Sequence, residues 1–213
     1  ALEDGVEALD DHTIAMLRDQ TRRLARFSGD VSALSDAETN RAAIEPTWTR
    51  PEVLVSSAVA AHEERYDTKA VILSVDVPGN LPSVWLDPER IGQVLSNLLD
   101  NALRHSRSQS TVKVRGRVKG DRFILTLTDE GDGVAAEHLP YLFERFYRAD
   151  AARDRAHGGA GIGLSIAKAL VEAHGGQITA ASDGAGQGTT FVIALPVHRP
   201  KGRHIDCRGT VDA

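Results

Sequence analysis

From Ile14 to Leu34 the apolar positions Ile14, Leu17, Leu24, Phe27, Val31 and Leu34 fall at gaps of three, four and seven, a single stripe along a long helix. The rest of the segment is mainly Arg, Asp, Gln, Ser and Thr, so the stripe is narrow and suits a helix packed in a bundle or coiled coil. "SDAETN" and "EPTWTRP" then supply polar and proline punctuation and place a boundary near residues 36–50. Beyond it the period alternates. Residues 52–67 read as a helix, "AVILSVDV" as a strand and residues 88–105 as a helix; "TVKVRGRV" and "RFILTLTD" read as paired strands joined by a turn at Lys119, Gly120 and Asp121. A glycine-rich, charged region from Gly131 to Gly163 follows. A helix over residues 162–174 is then stopped by Gly175 and Gly176, and two closing strands lie in "GQITAAS" and "GTTFVIALP". Hairpins mixed with helices predict an α+β domain, a sheet covered on one face by helices. The tail "HRPKGRHIDCRGTVDA" has no period and reads as disordered.

Composition narrows the partners. At 213 residues the chain has room for one good-sized domain plus an appendage, or for two small domains, and its net charge of -5 argues against a nucleic-acid backbone as the main ligand. A phosphate-bearing small molecule remains compatible. The single cysteine, Cys207, has no partner for a disulfide, which favours a reducing compartment. No run of the sequence has the apolar length of a bilayer span.

The candidate chemistry begins in "LSNLLDNALRH", where Asn97, Asn101, Arg104 and His105 recur at helical steps beside the apolar face. Asparagine offers a neutral carbonyl oxygen to a hard cation such as Mg²⁺, and arginine a fixed positive fork to phosphate. By themselves the two asparagines are better explained by hydrogen bonds to solvent or a neighbouring loop. "LTDEGDGV" ends a strand and supplies Asp129, Gly131 and Gly133: a carboxylate able to accept from an exocyclic amine, and glycines that let the backbone approach a flat ring. "GGAGIGLSIAKALVEAHGG" places Gly159, Gly161 and Gly163 at a helix start, with Leu164 next, where backbone N–H groups form a phosphate cradle. Neither a dinucleotide fingerprint nor a Walker A pattern is present. Between the glycine clusters, Leu142, Phe143, Phe146 and Tyr147 in "LPYLFERFYRADAARDRAHGG" anchor a short helix, and the residues after them read as a lid or, alternatively, as a disordered surface loop.

In order, "LSNLLDNALRH", "DEGDGV", "LFERFYR", "GGAGIGLSIAKALVEAHGG" and "GQGTTF" resemble the asparagine, glycine and phenylalanine boxes of the ATP-binding domain of sensor histidine kinases. The resemblance covers residues 45–198. It implies a two-layer α/β sandwich of the type shared with DNA gyrase, the heat-shock chaperone ATPases and the mismatch-repair ATPases, with ATP and Mg²⁺ as ligands. By that likeness Asn101 binds the metal that bridges the phosphates, Asn97 supports it, and Arg104 and His105 reach phosphate and sugar or base. Asp129 reads the adenine amino group, with Gly131, Gly133 and Thr189 at the same end. Arg145 and Arg148 approach the phosphates from the lid, making them catalytic candidates with Asn97, while Gly159, Gly161, Gly163 and Leu164 wrap the nucleotide.

One position separates the relatives. Gyrase-like ATPases carry a glutamate where this helix has Asn97, and that glutamate activates water; its absence suits a kinase that conserves its γ-phosphate. Residues 1–40 resemble the second helix of the family's dimerisation hairpin, and residues 199–213 form the tail. The phosphoacceptor motif H-E/D-x-x-x-P does not occur, and His12, His62, His138, His157 and His174 all lack its context. The expected activity is therefore transfer to a histidine outside this sequence, on a split-kinase partner or an N-terminal segment, with a response regulator downstream. Residues 1–35 would dimerise or complete a hairpin. The expected location is the cytoplasm, with membrane association only through a further segment or a partner. A non-catalytic ATP-binding regulatory module and a gyrase-type ATPase are the alternatives.

Overall fold

A computed structural model describes residues 10, 13, 14, 16, 17, 21, 44–148 and 161–199. Of the expected N-terminal helix, Thr13, Ile14, Met16, Leu17 and Thr21 are helical, and Asp10 caps them by accepting from Thr13 N at 2.7 Å. The remainder of that helix, the lid after Arg148 and the tail beyond Arg199 lie outside the described residues.

The elements run β1 (Thr47–Thr49), α1 (Pro51–Ala60), α2 (Glu63–Thr68), β2 (Ile72–Asp76), β3 (Val84–Leu86), α3 (Pro88–His105), β4 (Thr111–Lys119), β5 (Arg122–Asp129), α4 (Gly163–Ala173), β6 (Gln177–Ala181) and β7 (Thr189–Pro196). The main sheet has the order β2-β4-β5-β7-β6, with β2 and β4 parallel and the remaining neighbours antiparallel. Alternation along the strands turns Val112, Val114, Phe123, Leu125, Leu127, Phe191, Ile193 and Leu195 to one face. That face is covered by α3, through Ile91, Val94, Leu95, Leu98, Leu99 and Ala102, and by α4, through Ile166, Ala167, Leu170 and Val171. The expected α+β two-layer sandwich is the fold observed.

Three local readings need correction. Residues 52–67 form two helices, because the chain turns at Ala61 and His62, where His62 N donates to Val59 O at 2.8 Å. The break lets Tyr66 bury its ring and donate its hydroxyl to Leu99 O at 2.8 Å on α3. The segment "EPTWTRP" contains β1, which pairs with β3 in a separate two-stranded ribbon; Trp48 and Trp85 meet edge to face across it, 5.4 Å apart. In place of a short helix at residues 142–147 there is a single 3-10 turn at Leu139–Tyr141. Only part of the expected aromatic anchor packs against the core: the partly buried Phe143 meets Phe191 edge to face at 6.4 Å, whereas Phe146 is 62% exposed.

The helix carrying the candidate site is fixed at its start by Asp87. Its Oδ1 accepts from Glu89 N and Arg90 N, both at 3.0 Å, while Oδ2 accepts from Glu45 N at 2.8 Å. A cap of this kind stabilises a helix by about 1 kcal/mol. The neighbouring backbone N–H of Asp87 donates to His174 Nε2 at 3.0 Å, and His174 Nδ1–H donates to Leu170 O at 2.7 Å. His174 is thus a buried, neutral strut between α3 and α4, and burial pulls its pKa below the ordinary 6.5. Below pH 6.5 the unfolded chain takes up a proton that the folded one resists, so this contribution to stability is present above 6.5 and lost as pH falls through the depressed value. His62 has the opposite sign. It donates from Nδ1 to Ala58 O at 2.8 Å with Nε2 3.4 Å from Asp100 Oδ1, and that carboxylate raises its pKa. Its contribution is present below 6.5 and lost as pH rises through the raised value. In urea unfolding across pH, His174→Gln is expected to flatten the acid limb and His62→Gln the limb above 6.5.

Candidate functional site

Next to the buried face of α3 runs the partly exposed stripe Asn97, Asn101 and Arg104. Asn97 Nδ2 donates to Gly163 O at 3.1 Å, so one amide spans from α3 to the first residue of α4. Its side chain is an amide and holds no proton-accepting group of the strength a hydrolytic base requires. Asn101 makes no side-chain hydrogen bond among the described residues, leaving its carbonyl oxygen unclaimed. No group of three or more His, Cys, Asp or Glu side chains able to hold a metal occurs among the described residues. A hard cation here would therefore take Asn101 Oδ1 together with oxygens of a phosphate ligand and water, the arrangement typical of Mg²⁺.

Asp129 closes β5 with 3% exposure. Its Oδ1 accepts from Gly131 N at 2.9 Å and from Thr189 N at 3.2 Å, while Oδ2 accepts nothing among the described residues. Burial pushes its pKa up, and the two backbone N–H groups and His105 work against that rise. The carboxylate is thus oriented by two fixed donors with one oxygen left to accept. An exocyclic amine on a flat base suits that oxygen.

The glycine loop after β5 is pressed on both sides. A Cβ on Gly131 would lie 2.5 Å from His105 O, and Asp132 N donates to that same carbonyl at 3.1 Å. His105 Nδ1 sits 3.5 Å from Asp132 Oδ2. At Gly133, φ is +66° and a Cβ would fall 2.0 Å from Gly184 O, so the backbone occupies space that no side chain could share. The turn between β6 and β7 completes this end through Ser182, whose Oγ accepts from Val134 N at 3.0 Å and donates to Gly188 O at 2.6 Å. Ser182 and Asp87 are site-building residues that the sequence reading did not single out. Asp87 had a signal in the D-P-E start of the helix; Ser182 had none.

On the lid side, Phe146 N donates to Gly161 O at 3.0 Å, with φ at +60° for Phe146 and +71° for Gly161. The two described ends of the lid segment therefore clasp each other. Tyr147 Oη and His138 Nδ1 are 2.7 Å apart and hold the turn from the other side. Arg145 is exposed, Arg148 is partly buried and both are engaged in interactions. Leu164 packs against the core beside Gly163, and Gly159 lies outside the described residues. The structure thus joins Asn97 to Gly163, and His105, Gly131, Asp129 and Thr189 to one another.

A helix-on-sheet sandwich, with an asparagine-bearing helix set against two glycine loops and a buried carboxylate, defines an ATP-binding domain of the kinase and ATPase class. Residues 86–199 match the family described as "Histidine kinase-, DNA gyrase B-, and HSP90-like ATPase", and the chain belongs to that family. Its relatives include the signal transduction histidine-protein kinase BaeS of Escherichia coli, 32% identical over 205 residues that make up 96% of this chain and 44% of that protein. The adaptive-response sensory kinase SasA of Synechococcus elongatus is 33% identical over 183 residues, 85% of this chain and 46% of that one. The chain thus spans less than half the length of these curated relatives. Among solved structures, the Acinetobacter baumannii histidine kinase AdeS superposes with a TM-score of 0.77 at 27% identity, covering 93% of this chain and 90% of that one. Full-length ShkA in complex with AMPPNP gives a TM-score of 0.77 at 25% identity, covering 89% and 39%. No helix among the described residues is long and apolar enough to cross a membrane.

Proposed function

We propose that this chain binds MgATP in the cleft between α3 and the glycine loops and transfers the γ-phosphate to a histidine outside the chain, as part of two-component signalling. The observation that carries the nucleotide assignment is Asp129, buried, oriented through Oδ1 by Gly131 N and Thr189 N, and left with one oxygen to accept from the adenine amino group. Gly131, Gly133 and Thr189 admit the base at that end. Asn101 supplies a carbonyl oxygen to Mg²⁺, whose chemistry when bound is to neutralise charge on the phosphates. Asn97 holds Gly163 against α3, and Gly159, Gly161, Gly163 and Leu164 wrap the phosphates. Arg104 and His105 face phosphate and sugar, and Arg145 and Arg148 bring positive charge from the lid.

Phosphoryl transfer asks the protein mainly for positioning and charge neutralisation, and the amide at Asn97 leaves water unactivated. The acceptor histidine comes from a partner protein or a further segment, and a response regulator acts downstream. Residues 1–35 serve as the dimerising or hairpin-completing helix, residues 45–198 as the ATP-binding domain, and residues 199–213 as a tail. The lack of an H-E/D-x-x-x-P motif in the sequence supports a second reading, an ATP-binding regulatory module without transfer.

Incubation of the chain with γ-labelled ATP, Mg²⁺ and a candidate phosphoacceptor protein separates these readings. Acid-labile label on the partner, with slow phosphate release when the partner is omitted, is the expected result. Nucleotide binding without transfer to any acceptor supports the regulatory module, and rapid phosphate release without a partner a hydrolytic ATPase.

A further inference from the structure

A helix leaves its last four carbonyls without partners inside the helix. In α3 these belong to Ala102, Leu103, Arg104 and His105, and the last two are the residues assigned above to phosphate and sugar. Ser106, the residue after the helix, has an extended backbone with φ -79° and ψ 146°, so the usual left-handed closure of a helix end does not form. Partners come from elsewhere. Ser106 N takes Ala102 O at 2.9 Å, Asp132 N takes His105 O at 3.1 Å, and Lys69 Nζ takes both Leu103 O at 2.6 Å and Arg104 O at 3.0 Å. Half of the closure therefore rests on one ammonium group reaching across from the end of α2.

We propose that Lys69 is a positioning residue of the nucleotide site: by closing the C-terminal end of α3 it holds Arg104 and His105 in place for phosphate and sugar, and the glycine loop at Gly131 in place for the base. This inference rests on the nucleotide reading of the cleft. Several further observations carry it. The backbone on either side of Lys69 is pinned, with Lys69 N on Arg65 O at 3.3 Å and Ala70 O accepting from Gln109 N at 2.6 Å. Ala70 and Gln109 both have positive φ, 53° and 67°, a conformation that side-chain-bearing residues hold only where surrounding structure imposes it. The loop leaving α3 is thus fastened to the residue next to Lys69. A positive charge at a helix C-terminus is also favourable in itself. Burial lowers the Lys69 pKa, and the carboxylate of Asp132 opposes that shift.

The consequence is directional. His105 O accepts from Asp132 N, and Gly131, one residue earlier, donates to Asp129 Oδ1, so a displaced last turn moves the loop that orients the buried carboxylate. Asn97 is two turns away and tied to Gly163, so that contact between α3 and the start of α4 is spared. Loss of Lys69 should weaken ATP and ADP alike.

The test is equilibrium titration of the chain with ATP and with ADP in Mg²⁺, well below the unfolding midpoint, for wild type, Lys69→Met and Lys69→Arg. The expected result is a rise in Kd of about tenfold for both nucleotides in Lys69→Met. In Lys69→Arg, whose guanidinium fork also reaches two carbonyls, recovery to within about twofold is expected. If Lys69→Met does not fold, Lys69→Gln, which keeps one donor, takes its place with a smaller rise in both constants. Kd values unchanged in a folded Met or Gln variant, or a loss confined to ATP, would overturn the proposal while leaving the site assignment standing. Failure of wild type to bind either nucleotide would remove both.

Discussion

Asn101→Ala is expected to lower Mg²⁺-dependent ATP binding or phosphoryl transfer by on the order of a hundredfold or more, the scale seen when one electrostatic contact to reacting charge is removed. The same variant should fold with wild-type stability. Asn101 makes no side-chain hydrogen bond among the described residues, so its removal leaves no protein group unpaired, and alanine is the better helix former. Side chains that serve the fold behave otherwise: Tyr66 and Asp87 are both buried and hydrogen-bonded, and their removal leaves partners unsatisfied. A titration with ATP in the presence and absence of Mg²⁺, paired with a urea unfolding curve, separates the two effects. Full activity in a folded Asn101→Ala chain would remove Asn101 from the metal-binding role.

Gly188→Ala should have the largest effect on stability. Its φ is +70°, and a Cβ there would sit 1.9 Å from Asp129 O. The left-handed conformation alone costs about 1–2 kcal/mol for a non-glycine residue, and the overlap must be relieved by parting β5 from β7 where Asp129 faces Thr189. A loss of more than about 3 kcal/mol follows from strain and broken pairing together. Gly186 provides the control, since its φ is +77° but nothing lies within 4 Å of an added Cβ. Gly186→Ala should therefore cost only the conformational part, about 1–2 kcal/mol. Equal losses in the two variants would show that contact with Asp129 O is not what excludes a side chain at Gly188.

The sandwich was legible because its main elements obey strong periods. In β4, β5 and β7 the more buried and the less buried positions alternate without a break, and α3 keeps its apolar face from Ile91 to Leu103. The division of α1 from α2 was not legible, since Leu54, Val55, Ala58, Val59, His62 and Tyr66 follow a helical period straight through the turn. The three-residue strand β1 lies between prolines and is too short to show a period of its own; the ribbon depends on Trp85, 37 positions away in the register that pairs it with Trp48. At the site, residues with a chemical signature were visible: the two asparagines, Asp129 and the glycines. What the sequence hid was the support. Ser182, through Val134 N, and Lys69, through Leu103 O and Arg104 O, act through ordinary hydrogen bonds to backbone atoms that are distant along the chain, and nothing in their neighbours marks them.

Nucleotide capture in this cleft is the claim on which the other assignments depend, and calorimetric titration of the chain with ATP in Mg²⁺ tests it most directly when wild type is compared with Asp129→Asn. Asparagine keeps an acceptor for the backbone donors yet exchanges one carboxylate oxygen for an amide nitrogen, so it presents a donor where the adenine amine needs an acceptor. Saturable binding at one site by wild type, weakened by at least tenfold in a folded Asp129→Asn chain, is the predicted result. Wild-type binding that Asp129→Asn leaves intact, or no heat of binding from a folded wild-type chain, would contradict it.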